Sequence, residues 1–446
     1  MQDTQETTIQ EFDSKDNSRY ERYSEYEAPS GDNLQKVPVH WESRSFQYWA
    51  EKKNDKGNEE ERDFITLEHI NPVTGNLVDN FEWEQKKSQE YYLFEPGDVL
   101  FGKLRPYLRK YYQVDKKGCC GTDLMVLSPN SDVQSRYLYY FLHSEDFIQF
   151  TDANSHGVKM PRTSWTKVSS AHFQLPPIEE QNAIVEFLDW ETSRIDQLIG
   201  EKEKLIKLLD EKRNAIINKL VTSGINDSRH KDIELEWFDS IPDDWETTSL
   251  RNTVDKFVDY RGATPEKSDS GITLITAKNI DNGKLDFSED HEYISEDEYN
   301  EWMTRGDPEE GDVLITTEAP MGEVAQIQET PVALAQRIIL LKVNTDLLKK
   351  DFLKYYLDSE FNQTQLIKNQ TGSTAKGIQA SKLKGIRVMV PPISEQEDIL
   401  GTIREETQKI DDLISQVEEG IDRLKEYRTA LITNAVTGQI DVRGEV

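Results

Sequence analysis

LPPIEEQNAIVEFLDWETSRIDQLIGEKEKLIKLLDEKRNAIINKLVTSGIN, residues 175–226, returns as VPPISEQEDILGTIREETQKIDDLISQVEEGIDRLKEYRTALITNAVTGQID at residues 390–441. The offset is 215 without a gap, and from Pro176 to Asn226, 22 of 51 positions are identical. Such agreement marks an internal duplication, which organises the rest of the chain. The same offset runs backward through Leu138/Leu353, Ser144/Ser359, Glu145/Glu360 and Gly157/Gly372. Further upstream Gly97-Asp98-Val99-Leu100 matches Gly311-Asp312-Val313-Leu314, and Pro38 to Glu42 echoes Pro242 to Glu246, with offsets changed as loop insertions would change them. The order is globular unit, helix, globular unit, helix.

Each copy of the repeat predicts a long amphipathic helix, over about 179–222 and 394–436, entered just after a double proline, where proline is tolerated. Apolar residues at Ile184, Leu188, Ile195, Leu198, Leu205, Leu209 and Ile216 step as an a/d seam, interrupted at Glu191, Lys202 and Lys212. The second helix repeats the phase with Ile399, Ile403, Ile410, Leu413, Val417, Leu424, Tyr427 and Leu431. At 1.5 Å rise per residue, about 43 residues reach roughly 65 Å, more than one small core requires. Two seams of equal length and phase predict an antiparallel coiled coil relating the globular units by a pseudo-two-fold axis.

The globular units read as mixed α/β, making the fold class α+β. ITLITAKNI (272–280), DVLITT (312–317), GEVAQIQ (322–328) and RIILLKV (337–343) are strand-like, as are DVLFGKL, KYYQV and DLMVLS in the first unit. Helices follow at SRYLYYFLHSEDFIQF and KKDFLKYYLDSEFNQTQLI, with aromatics at core spacing. The expected domains are an acidic mobile tail (1–36), a first globular domain (37–175), a central spacer helix (176–226), a second globular domain (227–390), and a distal helix with C-terminal tail (391–446).

No apolar run approaches the 18 to 20 residues of a membrane-spanning helix, and the polar, acidic start has no signal-peptide pattern, so a cytoplasmic protein is expected. The adjacent Cys119 and Cys120 suit neither a disulfide framework nor zinc-ligand spacing and read as strand packing residues. With 53 basic and 84 acidic residues the net charge is −31, which argues against nucleic acid unless the charge is unevenly placed. It is uneven. Ala153 to Ile178 and Phe361 to Ile393 contain no acid at all, at equivalent places in the two repeats. Lys103 to Lys117 adds six bases against one acid. The candidate DNA-contacting residues are therefore Lys103, Arg105, Arg109, Lys110, Asn154, Lys159, Arg162 and Lys167 in the first unit. In the second they are Gln370, Ser373, Thr374, Lys376, Lys382 and Lys384, cations for phosphates and polar groups for base edges. The bulk acidity reads as adaptation to a salty cytoplasm.

Motifs for chemistry are missing from the sequence. Gly372 to Gly377 has P-loop glycine spacing but continues Ile378-Gln379 where Lys and Ser/Thr are required. No H-E-x-x-H or G-x-S-x-G occurs. The Pro-Pro dipeptides lack the flanking residues of an adenine methyltransferase motif, which disfavours a fused modification enzyme. An acidic DNA mimic or scaffold is the alternative class, and it would place acids on its working face rather than exclude them.

The duplicated P-P-I-x-E-Q at Pro176 to Gln181 and Pro391 to Gln396, with Arg213-Asn-Ala215 to Val221-Thr222 and Arg428-Thr-Ala430 to Val436-Thr437-Gly438, resembles the DNA-specificity subunit of type I restriction-modification enzymes. The likeness covers about residues 37–443, and the G-D-V-L strands resemble that family's target-recognition domains. It implies a non-catalytic subunit whose two domains read the halves of a split double-stranded DNA site while the helices act as spacer. It also implies two methyltransferase subunits and restriction (translocase/nuclease) subunits as partners, with S-adenosylmethionine, ATP and Mg carried by those partners and no cofactor or metal on this chain.

Overall fold

The computed structural model describes every residue except 1–18, 29–31, 33–34, 58–59, 73, 79–80, 158, 226–229, 236–237, 261–263, 282, 289, 372–376 and 446. The chain forms two compact units, Met1–Leu205 with Ser415–Val446, and Ile206–Ile414. The division falls inside the long helices, Ile178–Ser223 and Ile393–Val436, rather than at their ends. Each unit thus holds the first half of its own repeat's helix and the second half of the other's.

In the first unit a four-stranded sheet orders Ala50–Lys53, Leu124–Pro129, Val99–Gly102 and Tyr111–Gln113. In the second, Val254–Asp259, Ile338–Val343, Val313–Thr317 and Met321–Gln326 follow the same order. A second sheet in each contains one parallel pair, Gly118–Cys120 on Glu61–Ile65 and Val332–Leu334 on Ile272–Ile275. The edges of that sheet differ between the units. The strand before each double proline, His172–Leu175 or Arg387–Val390, pairs antiparallel with Glu42–Ser45 or Glu246–Ser249. The predicted aromatic helices each break in two at a serine N-cap, giving Ser135–Leu142 and Glu145–Ala153 at Ser144, and Lys350–Asp358 and Glu360–Asn369 at Ser359. Cys119 and Cys120 are buried and unbridged, and burial pushes the Cys119 thiol up to about 11.

The motif P-P-I-x-E-Q latches each helix to its unit. Gln181 is fully buried; its Oε1 accepts from the Gln134 N–H, and its Nε2 donates to the carbonyls of Asp132 and Pro176. Gln396 repeats all three bonds with Lys349, Leu347 and Pro391. The preceding glutamate takes the indole N–H of a tryptophan, Trp41 on Glu180 at 2.9 Å and Trp245 on Glu395 at 3.0 Å. Such buried polar groups need all their partners, so these bonds fix how each helix leaves its domain.

The far half of the other helix then closes each core. Leu424, Tyr427, Leu431, Ile432, Ala435 and Val436 join the first unit's core, while Ile216, Ile217, Leu220 and Val221 pack into the second's. Arg428 pairs with Asp196 at 3.0 Å in the first unit, and their duplicates Arg213 and Asp411 pair in the second. The two pairs use the same two positions of the repeat, with the roles of the copies exchanged. Of the seam residues, Ile184, Leu188, Ile195, Ile399, Ile403, Ile410, Leu424 and Leu431 are buried, and Leu198, Leu209, Ile216 and Val417 half-buried. Leu205 and Leu413 do not belong to the seam: they are 43% and 46% exposed. A strict seven-residue step falls about 20° short on a straight helix, so the inward position passes to Ile206 and Ile414, both half-buried.

The expected mobile tail also needs correction. Its residues 1–18 lie outside the described residues, but Tyr20 and Tyr23 are buried in the first unit's core. The Tyr20 hydroxyl donates to Glu191 and meets the Tyr427 hydroxyl, Tyr23 donates to Glu180, and Tyr26 donates to the Gly438 carbonyl. Glu191, an interruption in the apolar seam, is thereby satisfied. Burial, reinforced by these neighbours, raises the Tyr20 and Tyr23 phenols so that they stay protonated.

Arg428→Ala removes a buried guanidinium with its bonds to Asp196 and to the Thr74 carbonyl and is expected to cost about 1.5 to 3 kcal/mol. Arg213→Ala, at its more exposed duplicate, should cost under about 1 kcal/mol; urea unfolding of both variants checks the contrast. His143 is wholly buried, and burial drives its imidazole from 6.5 down to about 3. Its contribution is intact above pH 6.5 and is lost as pH falls toward 3, because the unfolded chain takes the proton first, with a slope of up to about 1.4 kcal/mol per pH unit. Urea midpoints of His143→Gln should accordingly fall less steeply between pH 6.5 and 5 than those of the unsubstituted chain.

Candidate nucleic-acid interface

The acid-free stretch of each repeat leaves the end of a helix, Glu145–Ala153 or Glu360–Asn369, and turns back on itself. In the first unit His156 and Arg162 exchange two backbone hydrogen bonds of 3.0 Å, and the Thr163 N–H donates to the Lys103 carbonyl. In the second, Thr371 and Gly377 exchange the same two bonds, and the Ile378 N–H donates to the Thr317 carbonyl. Both turns therefore dock on the residue that follows or ends the G-D-V-L strand. The sequence equivalence of the two stretches is also a structural one, established separately in each unit.

At that strand end both units place a left-handed residue before a proline. Arg105 has φ 47° ahead of Pro106, and Ala319 has φ 49° ahead of Pro320. A side-chain-bearing residue in this conformation is strained, the more so before proline, whose ring crowds its neighbour. Arg109 closes the first unit's turn, Pro106–Leu108, again left-handed at φ 52°. Strain of this kind persists where surrounding bonds over-determine it. Here the Arg105 N–H donates to the Pro161 carbonyl at 2.7 Å, and its guanidinium reaches the Lys159 carbonyl.

The predicted cations separate into two groups. Lys103, Arg105, Lys159 and Arg162 come together on this turn and its hairpin, and Arg105, Lys159 and Arg162 are exposed. Burial above all, and then the neighbouring Arg162 charge, pull the Lys103 ammonium below its usual value. Arg162 pairs with Asp123 at 2.9 Å, both about half exposed, and such a pair is worth at most about 1 kcal/mol, so phosphate can displace the carboxylate cheaply. Arg109 and Lys110 are engaged with the body of the unit instead. Arg109 donates to the His143 carbonyl at 2.8 Å and pairs with Glu145, and Lys110 donates to the Leu67 carbonyl. The Asn154 amide donates to the Phe150 carbonyl at its own helix end. Lys167 is exposed on the short helix Trp165–Ser169.

In the second unit Lys382 is exposed on the short helix Ala380–Leu383, Lys384 lies over the Phe257 ring at 4.7 Å, and Gln370 follows the helix Glu360–Asn369. Ser373, Thr374 and Lys376 lie outside the described residues. The turn equivalent to Lys103–Arg105 carries Glu318, which pairs with Arg337 at 3.5 Å. The two units thus present the same loop framework with different chemistry. Charge counting missed the apolar side chains on the first unit's loops: Tyr107, Leu108 and Met160 are 47%, 36% and 59% exposed. Their signal in the sequence was the interleaving of Pro, Tyr, Leu and Met with the bases of KLRPYLRK and VKMPR.

Among the described residues no cluster of His, Cys, Asp and Glu is arranged to hold a metal ion, and no helix is long and apolar enough to cross a membrane. Residues 46–233 and 242–423 match the family described as type I restriction modification DNA specificity domain. The chain is 26% identical over 340 residues to the type I restriction enzyme MjaVIII specificity subunit of Methanocaldococcus jannaschii, covering 74% of this chain and 76% of the relative. It is 25% identical over 334 residues to the putative MjaX specificity subunit of the same organism, covering 72% of each. A solved chain from work on complex assembly and conformational transition of the type I R-M system superposes with TM-score 0.64 at 18% identity, covering 91% of this chain and 100% of that one. At that identity the likeness establishes the fold.

The division between anchoring and surface cations is measurable in the absence of DNA. Arg109→Ala should lower the unfolding free energy by about 1.5 to 3 kcal/mol, the worth of hydrogen bonds to a charged group. Arg162→Ala should stay within about 0.5 kcal/mol of the unsubstituted chain. Equal thermal unfolding midpoints for the two variants would contradict the assignment.

Proposed function

The chain belongs to the type I restriction modification DNA specificity family, and from that premise we propose that it is the subunit that reads a two-part DNA sequence for a restriction-modification complex. The observation that carries this reading is the pair of equivalent, acid-free hairpins docked on the G-D-V-L strand ends of two like-folded units. In a chain of net charge −31, excluding acids from the same loop twice reserves those surfaces for phosphate. The differing side chains on the two loops suit two unlike half-sites, since base contacts specify while phosphate contacts position.

The chain contributes recognition and positioning, and the chemistry belongs to its partners. Two methyltransferase subunits supply S-adenosylmethionine, and restriction subunits supply ATP- and Mg-dependent translocation and cleavage. Duplicated, antiparallel helices suit two copies of one partner, because each copy of the repeat offers an equivalent face. Such a complex works on double-stranded DNA in the cytoplasm.

Selection from a random duplex library, using the chain bound to its methyltransferase subunits, should return two short consensus blocks separated by a fixed number of unread base pairs. A single continuous block, or no enrichment over the input library, would overturn the reading.

A further inference from the structure

Tyr107, Leu108 and Met160 are large apolar side chains left open to solvent on two loops that hydrogen bonds tie together, within a unit whose other large apolar residues mostly pack inside. Lys103, Arg105, Lys159 and Arg162 stand on the same two loops. Apolar side chains interspersed with cations on joined loops suit a DNA groove, whose floor offers thymine methyls among its donors and acceptors and whose rims carry phosphates. The turn is also held rigidly. Left-handed residues bound it at Arg105 and Arg109, and Arg109 is tied to the His143 carbonyl and to Glu145, so the tip meets a partner already ordered. The second unit's equivalent turn differs, with Glu318, Ala319 and Pro320 in sequence and a half-buried Met321 following.

Resting on the reading above, we propose that Tyr107, Leu108 and Met160 form the base-reading tip of the first unit, selecting its half-site by apolar contact while Lys159 and Arg162 hold the flanking phosphates. Apolar contact discriminates among bases through the thymine methyl or through insertion at an easily unstacked step, and both present the same chemistry to the tip. The cations are indifferent to sequence and set affinity and its salt dependence. The second unit reads its half-site by other groups.

The test uses the full chain in complex with its methyltransferase subunits, on its selected duplex and on duplexes with one or the other half-site scrambled. Tyr107→Ala and Met160→Ala should each reduce the affinity penalty for scrambling the first unit's half-site by about tenfold or more, the scale of a lost base contact. They should leave the penalty for the other half-site and the salt slope unchanged; the unchanged slope, which needs the first unit's own cations in place, also reports that the substituted unit is folded. Lys159→Ala and Arg162→Ala should weaken binding to all duplexes alike and lower the salt slope by about one each. Uracil in place of each thymine of that half-site identifies a methyl contact where affinity drops; no drop at any position assigns insertion at a step. The proposal is overturned if the Tyr107 and Met160 variants weaken every duplex equally or leave both scrambling penalties intact. A selection that yields no two-part consensus would instead sink the functional reading itself.

Discussion

Neither globular unit completes its core with its own repeat. Tyr137 and Phe147 sit in a cluster that also contains Leu431, Ile432, Ala435 and Val436, more than two hundred residues away in the other repeat. The leucine, isoleucine and valine among them are each worth about 1.5 to 3 kcal/mol, so the far half of the opposite helix is a structural member of each domain. Even the hydrogen bonds are exchanged in duplicate. The Thr433 hydroxyl accepts from the Glu145 N–H, and the side chain of Asn218, its counterpart in the first repeat, accepts from the Glu360 N–H. This reciprocal completion of cores is what the remaining structure depends on, because it fixes the register of the helices and, through the glutamine latch, the start of each.

Much of this was legible because duplication turns one sequence into two readings of one structure. The 215-residue offset pointed to equivalent helices and equivalent acid-free stretches, and the structure honours it down to individual bonds at Gln181 and Gln396. Where the repeat fell silent, the reading failed. The segment from Arg19 to Ala28 has no counterpart in the second repeat and no periodicity, and its order comes from tyrosine hydroxyls reaching Glu180 and Glu191, some 160 residues distant. Charged residues in or beside an apolar seam ask for a partner; Glu191 was visible as an interruption, but nothing local named Tyr20.

The paired loops were legible as stretches of sequence, and the directions of their side chains were not. Net charge along a segment says that cations are present; direction is set by the backbone. Within KLRPYLRK the left-handed residues at Arg105 and Arg109 bound a turn that ties Arg109 to the body of the unit and leaves Tyr107 and Leu108 exposed. Neither residue is a glycine, so their positive φ had no conventional signal. The seam expectation failed at Leu205 and Leu413 for a related reason, since a seven-residue step and a 3.6-residue turn fall out of phase over several turns.

The two units also show what duplication left free to change. Arg136 pairs with Asp189 in the first unit, and at the equivalent positions of the second Asp351 pairs with Arg404, the same contact with its polarity reversed. A surface ion pair is nearly indifferent to which side carries which sign, so such sites drift, whereas the fully buried glutamine latches tolerate no exchange and remain identical. The hairpins follow the same logic. Their backbone bonds are common to both units because they hold the turn against the G-D-V-L strand, while the residues have diverged, Arg162 in one hairpin answering to Gly377 in the other, and Arg105 on one adjoining turn to Ala319 on the other. A scaffold conserved by burial, carrying loops released from it, is the arrangement in which one gene duplication can yield two different readings of DNA.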